Sequence, residues 1–218
     1  MQRFCDFTLS FMTILVFLPF LFLVIIVLRI TGEGEIFYIQ DRVGLNGKNF
    51  GLYKFATMIK DSPNIGTGEI TIKNDPRVLP FGKFMRKTKI NELPQLFNII
   101  KGEMSIVGPR PMVPKTFMNY PEKSRQILNK VRPGLTGIGS IVFRDEEKYL
   151  DNVEDPRDFY MNNISPHKCN LEVWYVSRSN FWLYIKIITA TAWVVLFPKS
   201  KIVESLFPDI PPLPGNLS

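Results

Sequence analysis

The residues best suited to chemistry lie between Thr88 and Pro111, in the segment TKINELPQLFNIIKGEMSIVGPRP. A carboxylate, Glu92, follows an amide, Asn91, at an expected helix start, and Arg110 lies between two prolines. A carboxylate, a metal-binding amide oxygen and a rigidly held cation are the groups that phosphoryl transfer uses, because that reaction depends on positioning and charge stabilisation. The segment therefore predicts chemistry on a phosphate.

The same segment also has a purely structural interpretation. With Asn91 as the N-cap, Glu92 opens a helix and Pro94 falls in its first turn, where a missing N–H costs little. The helix would carry apolar residues at helical spacing, namely Leu93, Leu96, Phe97 and Ile100. A helix start accounts for the amide and the carboxylate, but it gives no packing reason for Pro109 and Pro111, which fix the arginine between them.

Features upstream of this segment would help to position it. Residues 36–40 have the β-branched and aromatic side chains of a short strand, and Asn46-Gly47 is a strong hairpin signal. The residues from Leu52 onwards either resume a strand or start a short helix. A basic stretch follows, with Lys73, Arg77, Lys83, Arg86, Lys87 and Lys89. This stretch is either a solvated face against anionic lipid or a cationic mouth to the site.

An uncharged apolar run covers residues 11–28. Its length of roughly eighteen residues is at the lower edge of what spans a bilayer core. A signal peptide would have a shorter apolar region and a small-residue cleavage site, whereas Arg29-Ile-Thr-Gly-Glu-Gly-Glu follows here. The run is therefore predicted to be a retained membrane anchor, which is assigned to residues 1–33.

Pro19 lies in the middle of the apolar run. A proline there removes one backbone hydrogen bond and clashes with the preceding turn, so it is predicted to bend the helix. Two outcomes are open: a kinked helix that spans the membrane, or a helix, a break and a helix that enters and leaves at the same face. The flanking charges discriminate weakly, because Arg3 is offset by Asp6 while the downstream domain is basic.

A second apolar stretch, residues 181–197, contains Lys186. A lysine can extend its amine to the headgroup layer, and the tryptophans and the tyrosine of this stretch suit the same layer. We predict an interfacial or docking helix rather than a second span. The residues from Phe207 onwards are rich in proline and are predicted to be extended, within a C-terminal tail assigned to residues 199–218.

Composition limits the partners of the protein. Its 218 residues carry a formal net charge of +7 and a pI of about 9.4, which favours an anionic partner. The apolar N-terminus favours lipid phosphates, and without repeated aromatic–basic interleaving no nucleic acid is expected. Cys5 and Cys169 are interpreted as unpaired thiols of a reducing compartment. His167 is interpreted as an isolated, exposed loop histidine, so no Ser-His-Asp hydrolase is expected.

Several motifs occur in a fixed order along the chain. The central ones are Arg86, Glu92-Leu-Pro-Gln95, Asn98, Lys101-Gly-Glu-Met-Ser105 and Val107-Gly-Pro-Arg-Pro111. The flanking ones are Arg42-x-Gly44-x-x-Gly47, Tyr53-Lys-Phe55, Asn74-Asp-Pro-Arg-Val78 and Arg132-Pro-Gly-x-Thr-Gly137. Together with the apolar helix, this pattern resembles the bacterial sugar transferases, the small monotopic phosphoglycosyl transferases, over about residues 8–195.

The resemblance implies an enzyme that moves a phospho-sugar from a UDP-sugar to undecaprenyl phosphate and releases UMP, beginning capsule, O-antigen or exopolysaccharide synthesis. It implies Mg²⁺ as cofactor and a re-entrant N-terminal helix broken at Pro19. It also implies contact with membrane lipid at the cytoplasmic face of the bacterial inner membrane, with downstream glycosyltransferases as partners. Lys54, Arg86 and Arg110 map onto basic residues that bind substrate phosphates.

Three positions depart from the family pattern. The nucleophilic aspartate of the family is Asn91 here, a frequent arginine is Ala56, and the serine before the helix proline is Leu18. A neutral amide cannot form the acyl phosphate of the two-step family reaction, which leaves three interpretations. Glu92 is the nucleophile, or Asn91 and Glu92 hold Mg²⁺ and orient the lipid phosphate for direct attack, or the protein is inactive.

We predict an active transferase with Glu92 and Asn91 as catalytic residues and as ligands of Mg²⁺. The rival hypothesis is a non-catalytic membrane scaffold that binds polyprenyl phosphate or recruits partner transferases. The expected fold is a helix-rich α/β domain, residues 34–198, that lies on the membrane with a re-entrant N-terminal helix and amphipathic interfacial helices. Structural roles are assigned to three prolines: Pro19, Pro109 and Pro111.

Overall fold

The computed structural model describes residues 1–66, 71, 74–150, 153–198, 200 and 202–213. Lys73 of the basic stretch and residues 214–218 of the tail lie outside these ranges. Within them, helices dominate and the strands form two small sheets, which confirms the prediction of a helix-rich α/β fold.

The described α-helices are, in chain order, α1 (Gln2–Ile30), α2 (Pro80–Lys87), α3 (Gln95–Lys101), α4 (Pro114–Phe117), α5 (Glu122–Leu128), α6 (Ile138–Val142), α7 (Pro156–Phe159), α8 (Ser165–Arg178), α9 (Phe181–Leu196) and α10 (Ile202–Leu206). The strands are β1 (Phe37–Val43), β2 (Asn49–Phe55), β3 (Ser105–Val107) and β4 (Gly134–Thr136). Short 3₁₀ turns cover Leu45–Gly47, Ser62–Asn64, Ile90–Glu92 and Glu146–Lys148, and a π-helical turn, Tyr160–Ile164, joins α7 to α8.

The N-terminal helix α1 passes through Pro19 as one helix. Of the helices in the described ranges, it is the one long and apolar enough to cross a bilayer. Its buried residues form one stripe along its length, consisting of Asp6, Ser10, Leu21, Val24 and Leu28. The break predicted at Pro19 is therefore not observed, because the helix packs on the domain on both sides of the one lost hydrogen bond.

The predicted hairpin is confirmed. Strands β1 and β2 pair in antiparallel fashion from Phe37 opposite Phe55 to Val43 opposite Asn49. The turn between them has positive φ angles of 56° at Asn46 and 71° at the following glycine, the conformation that the Asn-Gly signal predicts. The residues after the turn therefore resume a strand and do not start a helix.

The helix that follows Glu92 begins later than predicted. Residues Ile90–Glu92 form a 3₁₀ turn, and the N-cap of α3 is Pro94, so the prediction of Asn91 as the N-cap is wrong. The reason is Lys89, whose φ of 61° turns the chain before the helix. The predicted apolar stripe is also wrong at one position, since Phe97 is exposed.

The main core lies between α6, α8 and α9, and it includes the completely buried side chains of Ile138, Leu171, Tyr184 and Ile187. One face of α9 packs into this core while Trp182 on the other face is exposed, as expected for a docking helix.

The chain after α9 returns to the domain. Helix α10 and Phe207 pack against the core, with the Phe207 ring edge-on to Trp174 at 6.3 Å between centroids. The described residues that follow Phe207 form neither helix nor strand. Residues 208–210 form a turn in which Ile210 N donates to Phe207 O, so the predicted extended conformation is not found there. The predicted division into residues 1–33, 34–198 and 199–218 stays a prediction.

The cysteines and the histidine have simple roles in packing. Cys5 and Cys169 are free thiols, as predicted. His167 is buried in α8, not exposed in a loop, and its ring packs edge-on against Phe143. Burial lowers the pKa of His167, so the ring is neutral at pH 7.

Candidate active site

The candidate site lies in a broad groove of about 2750 Å³. All of the predicted catalytic and phosphate-binding residues line this groove: Lys54, Arg86, Asn91, Glu92 and Arg110. They come from β2, from α2, from the 3₁₀ turn before α3 and from the loop after β3. The sequence prediction of one shared site is therefore consistent with where the fold places these residues.

Glu92 and Arg110 form an ion pair at the centre of the site. Glu92 Oε1 lies 3.4 Å from Arg110 Nη2, and the exposed fraction is 14% for the glutamate side chain and 42% for the arginine. Burial alone would favour protonated Glu92, but the charges of Arg110, Lys54 and Lys89 outweigh it and lower the pKa of Glu92 to about 2. The carboxylate is therefore ionised at neutral pH and available as a nucleophile or a metal ligand.

Lys54 faces the same pair from strand β2. The pKa of Lys54 is lowered to about 7, chiefly by burial. Glu92 opposes this shift, and the nearby guanidinium groups of Arg42, Arg110 and Arg86 add to it. Several cations crowded around one carboxylate leave an excess of positive charge. Because an incoming phosphate would relieve this repulsion, the groove is an electrostatic site for an anion.

Arg86 reaches the groove from α2 and donates a hydrogen bond from Nη2 to Thr71 Oγ1 at 2.8 Å. The contact orients the guanidinium toward the groove side of the helix. The prediction that Arg86 binds a substrate phosphate stays a prediction.

The backbone of the Gly-Pro-Arg-Pro segment packs closely against the backbone of the Arg132–Gly137 motif and is hydrogen-bonded to it. Gly108 N donates to Thr136 O at 2.9 Å, and Gly134 N donates to Pro109 O at 2.8 Å. A Cβ atom on Gly108 would lie 2.4 Å from Arg132 O, and one on Gly134 would lie 2.1 Å from Gly108 N. Glycine is required at both positions, and this contact explains how two separate motifs fix the arginine.

The second proline of the segment has a similar structural role. Arg42 Nη1 donates a hydrogen bond to Pro111 O at 3.1 Å, which ties the end of the segment to strand β1. The structural roles predicted for Pro109 and Pro111 are consistent with these carbonyl contacts.

Glu172, on α8, is a site residue that sequence reasoning missed. It is 4% exposed, and its Oε1 accepts a hydrogen bond from Arg110 N at 3.3 Å. A Cβ atom on Gly139 would lie 2.5 Å from the same oxygen, so the glycine leaves space for the carboxylate in its observed position. Burial raises the pKa of Glu172 to about 7, against the opposing effects of the Arg110 N–H and of Lys168. The signal in the sequence was an acidic residue between apolar ones, Leu171 and Trp174, on a helix.

A second charged pair, also missed, lies on the same wall of the groove. Lys168 forms a salt bridge with Glu146, and its amine lies 5.4 Å from the centre of the Phe143 ring and 5.3 Å from that of Tyr160. These side chains line the groove beyond Arg110. They extend the polar surface away from Glu92, which gives the groove room for a substrate larger than a single phosphate.

The residues at the predicted metal position offer a partial ligand set. Asn91 is 6% exposed, and its Oδ1 has no hydrogen-bond partner within the described part of the chain. Among the described residues, no group of three or more His, Cys, Asp or Glu side chains lies close enough together to hold a metal. Mg²⁺ is commonly held by one or two carboxylates together with substrate phosphates, so Glu92 and the unpartnered Asn91 oxygen fit that ion.

Ala56 occupies the position where the family pattern often has an arginine. It is buried and lines the groove near Lys54. Its short side chain supplies no charge there. The positive charge of the groove comes from other residues, including Lys54, Arg86 and Arg110.

Comparison with known proteins finds relatives that are named as sugar transferases or sugar-phosphate transferases. An undecaprenyl-phosphate glucose phosphotransferase of Komagataeibacter xylinus is 31% identical over 91% of this chain and 36% of the relative. A UDP-glucose:undecaprenyl-phosphate glucose-1-phosphate transferase of Xanthomonas campestris pv. campestris is 31% identical over 84% of this chain and 36% of the relative. The uncharacterized sugar transferase EpsL of Bacillus subtilis is 36% identical over 79% of this chain and 75% of that protein.

The chain thus spans little more than a third of the length of the first two relatives. A family model described as bacterial sugar transferase matches residues 1–198. Because this match covers almost the whole sequence, including the groove and both motifs that fix Arg110, the chain belongs to the bacterial sugar transferase family.

Proposed function

We propose that this protein transfers a phospho-sugar from a UDP-sugar to undecaprenyl phosphate, giving undecaprenyl-diphosphate-sugar and UMP. The reaction would be the first membrane step of capsule, O-antigen or exopolysaccharide synthesis. The observation that carries the proposal is the ionised Glu92 paired with Arg110 in a groove lined by further cations. The names of two relatives support undecaprenyl phosphate as acceptor, and one of them supports a UDP-sugar as donor.

Glu92 supports a two-step reaction. A carboxylate oxygen of Glu92 would attack the phosphorus that carries the sugar, and the bond from that phosphorus to UMP would break as the new bond forms. An oxygen of undecaprenyl phosphate would then attack the same phosphorus, and the Glu92 carboxylate would leave. In the alternative, the lipid phosphate attacks directly while Glu92 and Asn91 orient it. The ionised state of Glu92 is needed in both cases.

Arg110 and Lys54 supply the positive charge that the reaction requires. Phosphoryl transfer spreads negative charge over the oxygens of the transferred group, and preorganised donors in a groove stabilise that charge. Arg110 is suited to this role because its backbone is fixed at Glu172 while its guanidinium is partly exposed. A guanidinium can contact two phosphate oxygens at once.

The proposed cofactor is Mg²⁺, with Glu92 and Asn91 as the residues that would hold it. When bound, the ion would offset the charge of the diphosphate. The unpartnered oxygen of Asn91 supports this assignment from the protein side.

The packing of α1 supports a one-sided anchor at the membrane. Near its start, Arg3 donates hydrogen bonds to Ile99 O and Ile100 O, and near its end Val24 and Leu28 belong to a buried cluster with residues of the same domain. Both ends of α1 contact one domain, so both would lie on one side of a bilayer. Apolar residues on its outer face are available to lipid, among them Phe7, Phe11, Val16, Leu18, Phe22 and Leu23.

This arrangement favours an unbroken helix that stays on one side of the bilayer over a spanning one. The exposed tryptophans of α9, Trp182 and Trp193, would lie at the interface, where such side chains are enriched. We place the groove at the cytoplasmic face of the bacterial inner membrane, because the nucleotide-sugar donor is a cytoplasmic metabolite. Downstream glycosyltransferases are the expected users of the product.

A second candidate function is a non-catalytic scaffold that binds polyprenyl phosphate or recruits partner transferases. Asn91 favours it, because an amide stands where the family has its nucleophile and its oxygen has no partner among the described residues. The scaffold would keep the cationic groove and lose turnover.

Release of UMP tests the proposal. The full chain, held in nanodiscs, would be given Mg²⁺, a panel of UDP-sugars and undecaprenyl phosphate. We expect UMP release that depends on the lipid with at least one UDP-sugar. The same reaction without lipid, followed by intact-mass measurement, would reveal a phospho-sugar adduct if Glu92 is the nucleophile.

A matched control separates the site from general damage. Glu122, an exposed carboxylate on α5, is not among the residues that line the groove, so Glu122→Gln should leave UMP release unchanged. If no UDP-sugar gives UMP release with wild-type protein and Asn91→Asp is equally inactive, the scaffold is the better account.

A further inference from the structure

One carboxylate in the membrane helix has no place in the proposed chemistry. Asp6 lies near the start of the largely apolar α1 and is only 2% exposed. Its two oxygens accept hydrogen bonds from Ser105 Oγ at 3.0 and 2.9 Å, from Ile106 N at 2.8 Å and from the Tyr184 hydroxyl at 3.0 Å. All of these donors belong to the domain that carries the groove, so Asp6 joins the helix to that domain.

The position of Asp6 matters because of strand β3. This strand pairs with β4 along one edge, where Ser105 N donates to Pro133 O at 2.9 Å. Successive N–H groups of a strand point to opposite edges, so Ile106 N points away from β4 and would lie at an unpaired edge. The Asp6 carboxylate accepts the hydrogen bond from Ile106 N that a third strand would otherwise accept. Burial and the same carboxylate raise the pKa of Tyr184, so its hydroxyl stays a donor.

A second contact fixes the same end of α1. The Arg3 guanidinium donates to Ile99 O and Ile100 O near the C-terminus of α3, where backbone carbonyls favour a cation. Helix α3 follows Glu92 closely, and β3 leads directly into the loop that carries Arg110. The first two turns of α1 therefore clamp both segments that carry the ion pair of the site.

We propose that Asp6 is a positioning residue for Arg110. It acts through Ser105 and Ile106, whose fixed positions determine where the Gly-Pro-Arg-Pro turn begins. The position of the first turns of the membrane helix is thereby coupled to the geometry of the groove. The kinetic part of this inference rests on the proposed transferase activity, and its structural part does not.

The first test is a double-mutant cycle in UMP release by the full chain in nanodiscs. Asp6→Asn removes the negative charge and the Oδ2 contact to Ser105, and it leaves three donors on one neutral amide oxygen. We therefore expect kcat to fall by about ten- to a hundredfold, as for other misplacements on the order of 1 Å. The KM for the UDP-sugar should change less than about twofold, because the lost interaction is one that matters in the transition state. In an Arg110→Ala background the same change should add less than about twofold.

Milder and control variants keep the test decisive if Asp6→Asn folds poorly. Tyr184→Phe removes one donor and keeps the ring, so a smaller loss with the same dependence on Arg110 is expected. Ser10→Ala is the matched control, because Ser10 lies one turn further on the same buried face and its Oγ has no partner among the described residues. Its activity should stay within about twofold of wild type, since removal of an unpartnered hydroxyl leaves no donor unsatisfied.

Hydrogen exchange tests the structural part without any turnover. In Asp6→Asn the amides of residues 105–111 should exchange faster than in wild type, and in Ser10→Ala they should not. Unchanged exchange across that segment, or an equal activity loss with and without Arg110, would overturn the inference. If wild-type protein releases no UMP, the transferase proposal fails, and the exchange result alone decides whether Asp6 fixes the segment.

Discussion

Glu92 and Glu172 both contact Arg110, but they differ in the part of the arginine that they contact and in the direction of their pKa shifts. Glu92 meets the guanidinium at 3.4 Å in the groove, whereas the buried Glu172 accepts from the backbone N–H at 3.3 Å. The pKa of Glu92 is lowered to about 2, and that of Glu172 is raised to about 7. One arginine thus has a carboxylate at its side chain and another at its backbone.

The surroundings explain the difference. For both glutamates burial is the largest influence and disfavours the ionised form. Around Glu92 the charges of three cations outweigh burial, while around Glu172 the Arg110 N–H and the charges of Lys168 and Arg110 do not. When environments push the pKa values of two like groups apart, their roles separate. We infer that Glu92 takes part in the chemistry and Glu172 holds the backbone that presents Arg110.

The largest effect is expected for Glu92→Gln. The amide cannot attack a phosphorus and carries no charge for the cations, so UMP release should fall by at least about 10³-fold. The measurement is kcat for UMP release, with circular dichroism to establish that the variant is folded. Activity close to wild type would show that Glu92 has no part in the chemistry and would contradict the difference in role between Glu92 and Glu172.

Arg110→Ala should have the next largest effect. Loss of one preorganised donor to the developing charge is expected to lower kcat by about 10²–10³-fold, as with other single donors of this kind. Arg110→Lys should restore part of the loss, because it restores charge without the planar pair of donors. Equal activity in the alanine and lysine variants would show that charge at this position has no role.

Glu172→Ala should lower UMP release about tenfold, through loss of the acceptor that holds the Arg110 N–H, which leaves a buried donor unsatisfied. Glu172→Gln keeps an acceptor oxygen, so its activity should stay within about threefold of wild type. If the glutamine variant were as inactive as Glu92→Gln, Glu172 would need a part in the chemistry itself.

The two glutamates should also give opposite pH dependences of stability. The pKa of Glu172 rises from an ordinary 4.5 to about 7 in the folded state, so the folded protein retains a proton that the unfolded chain releases. Its contribution to the free energy of unfolding is therefore full below pH 4.5 and is lost as pH rises through 7. Glu172→Gln should remove this loss and stabilise the protein at pH 8 by about 1–3 kcal/mol.

For Glu92 the sign is reversed. Its pKa falls from 4.5 to about 2, so its contribution is present above pH 4.5 and is lost as pH falls toward 2. Thermal unfolding of both glutamine variants and wild type from about pH 2 to pH 8 would measure the two slopes. If the stability of Glu172→Gln changed with pH in parallel with that of wild type throughout, the raised pKa of Glu172 would be contradicted.

The smallest effect is expected for Asn91→Asp. The change supplies the acidic residue of the family pattern beside Glu92, and we expect a rise of several-fold in UMP release. The rise would come from a second carboxylate for metal binding or attack. A fall in activity would indicate that the amide is adapted to this site, and would favour Glu92 as the sole reacting carboxylate.

Much of the site could be predicted from sequence because its signals are local. The Asn-Gly turn required positive φ angles, and the hairpin followed from it. The Gly-Pro-Arg-Pro segment identified Arg110 by its own composition. Helix capping rules failed at Asn91 because a left-handed residue, Lys89, placed a 3₁₀ turn ahead of the helix. The loop predicted at His167 is instead part of α8, whose first turn contains Pro166.

The residues that sequence reasoning missed act over long separations. Glu172 contacts a backbone N–H that lies 62 residues earlier, and Asp6 contacts one that lies 100 residues later. An isolated acidic residue in an apolar helix shows that it needs a partner, because burying an unpaired charge is costly. The sequence does not identify that partner, since only the packing of α1, β3 and α8 brings the groups together.

The most direct test compares UMP release by wild type, Glu92→Gln and Glu172→Gln under identical conditions, with Mg²⁺, undecaprenyl phosphate and the best UDP-sugar. We expect lipid-dependent release by wild type, release within about threefold of it for Glu172→Gln, and at least about a 10³-fold loss for Glu92→Gln. Full activity of folded Glu92→Gln would contradict the assignment of Glu92 as the reacting carboxylate beside Arg110.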